Sequence, residues 1–390
     1  MSNSLGIHAL SLRSEPWGAS RYKRAVESTL AQAGVTIGAS ARCDIRVHDE
    51  RAYAAFLQGS MGVGEAYMDG HWSAEHLDHL MARLFAAGLQ ADPPGIGTFA
   101  REVLAKVVNF QSRSRAFRVA EVHYDAGNDL FERMLDSEMV YTCAYWSEGD
   151  TLESAQRAKL DLVCRKLGLA PGMRVLDIGC GFGAFMKYAC ENYGVTCVGY
   201  SVSAQQTALA RARCAGLPVE IVLEDYRAIP RSGQTFDRVV SIGMLEAVGV
   251  QNYRTFMQVV HDVLRPDGVA LVHTVGSNVS AQHGDPWIDR YIFPNGMLPS
   301  IAQLGAATEG LLVMEDWHNF GPHYDKTLLA WNERFQAAWP ELKSSYTERF
   351  KRMWELYLLA FAGAFRARSY QLWQLVLTRP GCPQPLCRVS

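Results

Sequence analysis

The chain of 390 residues lacks the features that mark several large protein classes. No apolar run approaches the roughly 18 residues of a membrane span, and the N-terminus shows no signal-peptide pattern. The nine cysteines have no metal-ligand spacing, so we expect no metal site and reduced thiols in a cytoplasm. The net charge of −2 excludes a globally basic nucleic-acid-binding protein, and we expect no nucleic-acid partner. Internal repeats and low-complexity tracts are also missing.

The apolar content of 48% is ample for a large core, and the length fits one large domain or two. From Glu153 onward, apolar runs alternate with helical patterns, which predicts an α/β fold with a parallel, doubly wound sheet. An insertion rich in aromatic residues and proline interrupts the alternation at 277–300. The predicted strands are 173–178, 195–199, 219–223, 236–242, 268–275, 311–317 and 370–378, and the predicted helices are 153–167, 184–193, 203–215, 250–264, 325–338 and 345–366.

The most informative segment is 175–183, Val-Leu-Asp-Ile-Gly-Cys-Gly-Phe-Gly, in which an apolar strand ends in a glycine-spaced turn before a helix. In this geometry backbone N–H groups and a helix N-terminus face a nucleotide-like ligand. A Cβ atom at Gly179 or Gly181 would hold that ligand away from the backbone. The segment therefore predicts a cofactor that contains a nucleoside.

The acids near this turn favour S-adenosylmethionine over a nicotinamide cofactor. Nicotinamide enzymes usually carry an acid about 20 residues after the turn, yet the corresponding segment 200–203 reads Tyr-Ser-Val-Ser. An acid pair, Glu224-Asp225, instead follows the next strand, where a carboxylate can accept a hydrogen bond from an adenine amino group. Asp177 would lie beside the cationic methionine end, where a carboxylate is electrostatically favourable. The other interpretation of Asp225-Tyr226 is a simple turn.

A basic stretch, 101–118, separates the first part of the chain from the α/β part. Apolar residues alternate with its basic side chains, which is typical of a segment that meets an anionic membrane surface. A solvated linker helix has the same composition, so both interpretations stay open. A break at 90–95, rich in proline and glycine, precedes it. The basic residues are Arg101, Lys106, Arg113, Arg115 and Arg118, against one acid, Glu102.

Several longer segments resemble the cyclopropane fatty acid synthases, in the order that family has them. The similarity extends from about residue 55 to 378 and is greatest to the bacterial enzymes that modify phospholipids and carry an extra N-terminal domain. The segments are 123–131 (HYDAGNDLF), 141–146 (YTCAYW), 175–183, 243–249 (GMLEAVG), 273–277 (HTVGS), 291–296 (YIFPNG) and 315–321 (EDWHNFG), together with the glycine-rich stretch 62–72.

This resemblance implies a class I S-adenosylmethionine-dependent methyltransferase with a Rossmann-like sheet and a smaller, mainly helical N-terminal domain. The enzyme would convert the cis double bond of an unsaturated acyl chain in a membrane phospholipid into a cyclopropane. The implied organisation is an N-terminal lipid- or membrane-docking domain at 1–95, a basic linker at 96–122 and a catalytic domain at 123–390. We expect a cytoplasmic protein that associates peripherally with the inner membrane and forms a homodimer.

The resemblance also implies which residues bind the reactants. A bound bicarbonate would act as the base, held by Cys143, Glu246, His273, Tyr324 and the backbone of Val275. Taken alone, Cys143 fits a packed apolar residue, and His273 fits a core histidine equally well. The cofactor would be held by Tyr141, Thr142, Asp177, Gly179, Gly181, Ser201, Gln206 and Asp225, where the amide of Gln206 replaces the missing ribose carboxylate.

One position departs from the family pattern, which usually has histidine directly after the glutamate of the segment 243–249. This chain has Ala247, which can neither donate a hydrogen bond nor orient Glu246. Three consequences are open: the histidine is dispensable, it tunes rate or substrate choice, or the product is a methyl-branched or hydroxylated chain. A non-catalytic adenosylmethionine or lipid binder is a further alternative, and the retained Cys143, Glu246 and His273 count against it.

Overall fold

The computed structural model of the chain describes residues 16–40, 42–89 and 127–389. The part before residue 90 is mainly helical and includes a small sheet with the strand order β1-β2-β3. Its elements are α1 (Pro16–Ala31), β1 (Ile37–Gly38), β2 (Ile45–Val47), α2 (Arg51–Phe56), α3 (Gly59–Met68), β3 (Trp72–Ser73) and α4 (Leu77–Ala86).

The second part is built on a seven-stranded sheet with apolar cores on both faces. Successive strand residues point to opposite faces, so Val175 packs in one core and Leu176 in the other. The elements are α5 (Asn128–Met134), α6 (Leu152–Lys166), β4 (Arg174–Ile178), α7 (Ala184–Tyr193), β5 (Thr196–Ser201), α8 (Ala204–Arg213), β6 (Val219–Leu223), β7 (Phe236–Ile242), α9 (Tyr253–Val263), β8 (Leu264–Ser277), α10 (Pro286–Tyr291), α11 (Ile301–Thr308), β9 (Val313–Asn319), α12 (Pro322–Leu342), α13 (Glu348–Arg366) and β10 (Tyr370–Thr378).

The strand order is β6-β5-β4-β7-β8-β10-β9, and the prediction of an all-parallel sheet is wrong at its last strand. Strands β4 to β8 are parallel, whereas β10 lies antiparallel between β8 and β9. The reason is the connection from β9 to β10, which consists of the packed pair α12 and α13. The first helix runs back along the sheet and the second, of similar length, returns the chain to the end of the sheet at which β9 finishes. Strand β10 therefore runs in the direction opposite to β9.

Local sequence signals explain where several helices begin. Thr151 and Ser154 form a capping box at the start of α6, and the Ser203 side chain caps α8. Helix α11 was not predicted, although Ser300 and Gln303 form a capping box there. The apolar stretch that forms this helix is short and has weak helical periodicity, so the sequence pattern does not indicate a helix there.

The two parts of the chain share an apolar core in which α4 packs against α13. The helices approach closely at Gly363, where an added Cβ atom would lie 2.7 Å from the backbone nitrogen of Ala82. At the end of α13, Arg366 forms ion pairs with Asp78 of α4 and Asp325 of α12. The predicted linker 96–122 and the first residues of the segment 123–131 lie outside the described residues. Among the described helices, none has the length and hydropathy needed to cross a membrane.

Candidate active site

The glycine turn after β4 has the conformation that its sequence demands. Gly179 and Gly181 have φ angles of +85° and +52°, in the left-handed region that favours glycine. A Cβ atom at Gly179 would also lie 2.8 Å from the side chain of Met244. The turn lies beside β4, where the order of strands reverses, and this is the position at which open α/β sheets bind ligands.

A cavity of about 450 Å3 opens in front of this turn. The parallel strands β4, β5 and β6 all end at it, so residues that are distant in the sequence meet there. All eight residues predicted to hold the cofactor line this cavity: Tyr141, Thr142, Asp177, Gly179, Gly181, Ser201, Gln206 and Asp225.

Asp225 has a structural bond as well as a place in the cavity wall. Its Oδ1 accepts a hydrogen bond of 2.9 Å from the backbone N–H of Arg227, which fixes the turn after β6. Tyr226 also lines the cavity, and the Arg227 guanidinium lies over its ring at 5.0 Å. The simple-turn interpretation is therefore correct locally, and the same turn presents the carboxylate and the aromatic ring to the cavity.

Lys159 is a cavity residue that the sequence reasoning missed. Its ammonium group is almost completely buried and donates a hydrogen bond of 2.9 Å to the Thr142 hydroxyl. Burial lowers the pKa of Lys159 to about 8 and raises the pKa of Asp177 to about 7, and the attraction between the two groups opposes both shifts. Lys159 thus interacts most strongly with Asp136 and also stabilises the charge of Asp177, the carboxylate predicted to face the cationic end of the cofactor.

Glu246, Val275 and Tyr324 line the same cavity, next to the cofactor residues. Glu246 Oε1 accepts a hydrogen bond of 2.6 Å from the Val275 N–H, while Glu246 Oε2 is buried without a protein partner. Burial raises the pKa of Glu246 to about 7, so this carboxyl group titrates near neutrality. Burial also raises the pKa of Tyr324, which keeps its phenol protonated as a donor.

Cys143 and His273 are buried and are not among the residues that line the cavity, although Thr142 and Val275, close to them in the chain, do line it. The Cys143 thiol donates to the Ala144 carbonyl at 3.2 Å, and burial raises its pKa, so it is a neutral thiol and not an activated nucleophile. Burial lowers the pKa of His273 well below its usual value, so its ring is neutral. His273 Nε2 is buried without a protein partner.

The cavity continues into an apolar chamber formed by the insertion and the C-terminal helices. Aromatic and aliphatic side chains dominate this chamber, as expected for a site that accepts a hydrocarbon chain. Ala247 also faces the cavity and presents only a methyl group. The chamber residues are Ile288, Phe293, Leu298, Leu328, Tyr357, Phe361 and Tyr370. Within the described ranges, acidic, histidine and cysteine side chains form no group able to hold a metal ion.

Comparison with known proteins agrees with this geometry. The family model of mycolic acid cyclopropane synthetase matches residues 111–375. The chain is 51% identical to the cyclopropane-fatty-acyl-phospholipid synthase of Escherichia coli (strain K12) over 360 residues, which are 92% of this chain and 94% of that protein. It is 34% identical to the tuberculostearic acid methyltransferase UfaA1 of Mycobacterium tuberculosis, over 83% of this chain and 80% of that protein.

A solved structure shares the fold. The mycolic acid cyclopropane synthase CmaA1 in complex with SAH and CTAB has a TM-score of 0.63 and 32% sequence identity. The match covers 67% of this chain and 98% of CmaA1. The resemblance and the fold class predicted from the sequence are therefore confirmed. The chain belongs to the mycolic acid cyclopropane synthetase family and is an enzyme with the class I S-adenosylmethionine-dependent methyltransferase fold.

Proposed function

We propose that this enzyme adds a methylene from S-adenosylmethionine across the cis double bond of unsaturated acyl chains in membrane phospholipids, which forms cyclopropane fatty acids. The observation that carries the proposal is the continuity of one cavity, which joins the glycine turn to an apolar chamber. Glu246 and Tyr324 lie along the same cavity. The strong similarity to a cyclopropane-fatty-acyl-phospholipid synthase supports this choice of substrate.

The cofactor residues would bind and orient the methyl donor. When bound, S-adenosylmethionine supplies an electrophilic methyl group on a sulfonium cation. Asp177, whose charge the Lys159 ammonium stabilises electrostatically, would offer a buried carboxylate toward that cation. Asp225 and Gln206 would bind the nucleoside through hydrogen bonds. Because an alkene is a weak nucleophile, this positioning and the exclusion of water are the main contributions of the protein to the first step.

The apolar chamber would protect the carbocation that forms on the acyl chain. Its walls present Phe293, Tyr357, Phe361 and Tyr370, whose ring faces attract positive charge. Burial raises the pKa of Tyr370 and keeps it a neutral phenol rather than a nucleophilic phenolate. The chamber thus offers ring faces to the cation. The acid Asp285 also lines the cavity, where its Oδ1 accepts hydrogen bonds from the N–H groups of Trp287 and Ile288.

The polar groups beside the chamber fit a small anion such as bicarbonate. Two buried atoms without protein partners, Glu246 Oε2 and His273 Nε2, are the groups that a bound ion would satisfy. Cys143, Tyr324 and the Val275 backbone complete the proposed set. When bound, bicarbonate supplies the base that takes a proton from the newly added methyl group. The Glu246 carboxylate would accept a hydrogen bond from the hydroxyl group of the ion and so orient it.

A related outcome is a methyl-branched or hydroxylated chain instead of a ring. Ala247 is the reason to test for these products, because the side chain that follows Glu246 provides no hydrogen bond in the cavity. The similarity to UfaA1, named a tuberculostearic acid methyltransferase, shows that the family includes methyltransferases without a cyclopropane name. The chain has Glu246 and His273, each with a buried polar atom that lacks a protein partner. These are groups of the proposed base site, so ring formation is the main proposal.

We also propose that the enzyme docks transiently on the cytoplasmic face of the inner membrane. Residues 1–95 and the basic linker 96–122 would form the docking part, and 123–390 the catalytic domain. Pairing as a homodimer would double the contact and raise avidity. Binding to anionic vesicles should weaken with salt over the range in which the Debye length shortens from about 10 Å to about 3 Å. Binding unchanged by salt would contradict the electrostatic part of this proposal, and sedimentation analysis tests the dimer.

Activity is tested with the purified enzyme, S-adenosylmethionine and vesicles of a phospholipid with cis-unsaturated acyl chains. We expect acyl chains that gain one CH2 and lose the double bond, detected by mass spectrometry of their methyl esters. Vesicles of saturated phospholipid are the control and should gain nothing. Binding of the donor without any product would instead support a non-catalytic lipid or adenosylmethionine binder.

A further inference from the structure

A buried glutamine contacts one nitrogen of the His273 ring. Gln374 of β10 lies directly opposite His273 of β8 in the antiparallel register, so the two side chains share one face of the sheet. The Gln374 amide Nε2 lies 3.3 Å from His273 Nδ1, and both residues are essentially inaccessible to solvent. No other hydrogen bond to a ring nitrogen of His273 is present among the described residues.

The orientation of the Gln374 amide decides which ring nitrogen of His273 carries the proton. A neutral imidazole has one N–H donor and one acceptor nitrogen, and the partner of one nitrogen fixes the role of the other. An amide N–H that donates to Nδ1 leaves the proton on Nε2. The opposite amide orientation, with its oxygen toward Nδ1, would place the proton on Nδ1 and a lone pair on Nε2. A lone pair there would repel a bound anion.

We propose that Gln374 is a positioning residue that holds His273 in the Nε2–H tautomer, with that N–H directed at the anion of the proposed reaction. The effect on anion binding rests on the proposed function. The tautomer of His273 does not depend on that function. The observation that carries it is the pairing of a contacted Nδ1 with a partnerless Nε2 on one buried ring. The Gln374 side chain is completely buried, and among the described residues its amide has no hydrogen-bond partner other than His273.

The polar row continues past Gln374 in the strand register, and Gln374 Oε1 is buried without a partner among the described residues. His318 of β9 is the register partner of Gln374 on the other side of β10. The buried Lys166 ammonium donates to His318 Nδ1 at 3.0 Å and lies 3.7 Å from Asp316. The Lys166 ammonium at one end of the row therefore has an acidic partner, and the neutral His273 ring is the other end.

The first test is nitrogen NMR of the full-length enzyme with 15N-labelled histidine, in which the two ring nitrogens of each tautomer have distinct shifts and couplings. The His273 signals are assigned by their loss in His273→Asn. We expect the Nε2–H pattern without added ligand. An Nδ1–H pattern would overturn the proposal, whatever the activity of the enzyme.

The second test compares Gln374→Leu with Gln371→Leu, a buried glutamine of the same strand that bonds to Asn319 and to the Arg368 carbonyl instead. In Gln374→Leu we expect two exchanging tautomers and a rise of about tenfold in the bicarbonate concentration that gives half-maximal activity, as loss of one well-placed donor to an ion predicts. S-adenosylmethionine binding should not change, and Gln371→Leu should keep the tautomer.

The outcomes separate the two proposals. An unchanged tautomer and an unchanged bicarbonate requirement in Gln374→Leu would overturn the role of Gln374. A wild-type enzyme that needs no bicarbonate, yet shows the Nε2–H tautomer, would contradict the proposed base and leave the positioning of His273 intact. If Gln374→Leu does not fold, the wild-type spectrum alone decides.

Discussion

Replacement of Glu246 by glutamine should remove activity and, above about pH 4.5, make the protein more stable. Burial raises the pKa of Glu246 from 4.5 to about 7, so ionising it in the folded state is unfavourable. A shift of about 2.5 units corresponds to about 3 kcal/mol, since one unit is about 1.4 kcal/mol. Glutamine keeps the oxygen that accepts the Val275 N–H and carries no charge.

The pH dependence follows from proton binding. Between pH 4.5 and pH 7 the folded state binds more protons at Glu246 than the unfolded state, so this group lowers wild-type stability as pH rises through that window. The advantage of Glu246→Gln in free energy of unfolding should therefore grow from about 1 kcal/mol at pH 5 to about 3 kcal/mol at pH 8. Below pH 4.5 the advantage should vanish.

Urea denaturation of both proteins at pH 5 and pH 8 measures this difference, and methyl transfer to vesicle phospholipid measures activity. Activity should fall by about 100-fold or more, in line with the loss of a group that acts in proton transfer. Glu220→Gln, at an exposed position of β6, is the control and should change neither quantity. An equal stability difference at both pH values would refute the burial argument, and retained activity would refute the role of Glu246.

Three further predictions concern the cofactor site, the packing of the sheet and the contact between the two parts of the chain. Asp225→Ala should weaken S-adenosylmethionine binding at least tenfold by calorimetry, because a buried carboxylate partner is lost; unchanged affinity would contradict its assignment. Gly276→Ala should lower the free energy of unfolding by about 1–3 kcal/mol, since its Cβ atom would lie 2.0 Å from the Trp373 ring; an unchanged denaturation midpoint would contradict this packing. Gly363→Ala should displace α4 from α13 and speed proteolysis of the N-terminal part, because the Cβ atom meets the Ala82 backbone at 2.7 Å; unaltered cleavage would argue against that contact.

The sequence predicted the parts of the fold that depend on local patterns. The glycine turn, the alternation from Glu153 and most strand positions follow from periodicity and turn chemistry, and the structure has them. The antiparallel direction of β10 could not be predicted from local patterns, because it depends on how α12 and α13 pack together. That packing is a tertiary property without a local signal.

Lys159 and Gln374 were not predicted from the sequence, for different reasons. Lys159 lies in α6, where several charged residues are typical of a solvated helix face, and nothing local shows that its side chain points inward. Gln374 did carry a signal, since it interrupts the nearly continuous apolar run of β10, and a buried polar residue there needs a partner. The sequence similarity indicated His273 as a candidate, but only the strand register reveals which residue touches it.

The central claim is ring formation by a bound base despite Ala247. The most direct measurement is mass spectrometry of membrane lipids from a host that lacks its own cyclopropane synthase, expresses this chain and is fed methionine with a deuterated methyl group. The account predicts acyl chains that gain one methylene with two deuteriums retained. Three retained deuteriums would mean that the added methyl group was never deprotonated. That result, or no incorporation by a folded protein that binds S-adenosylmethionine, would contradict the claim.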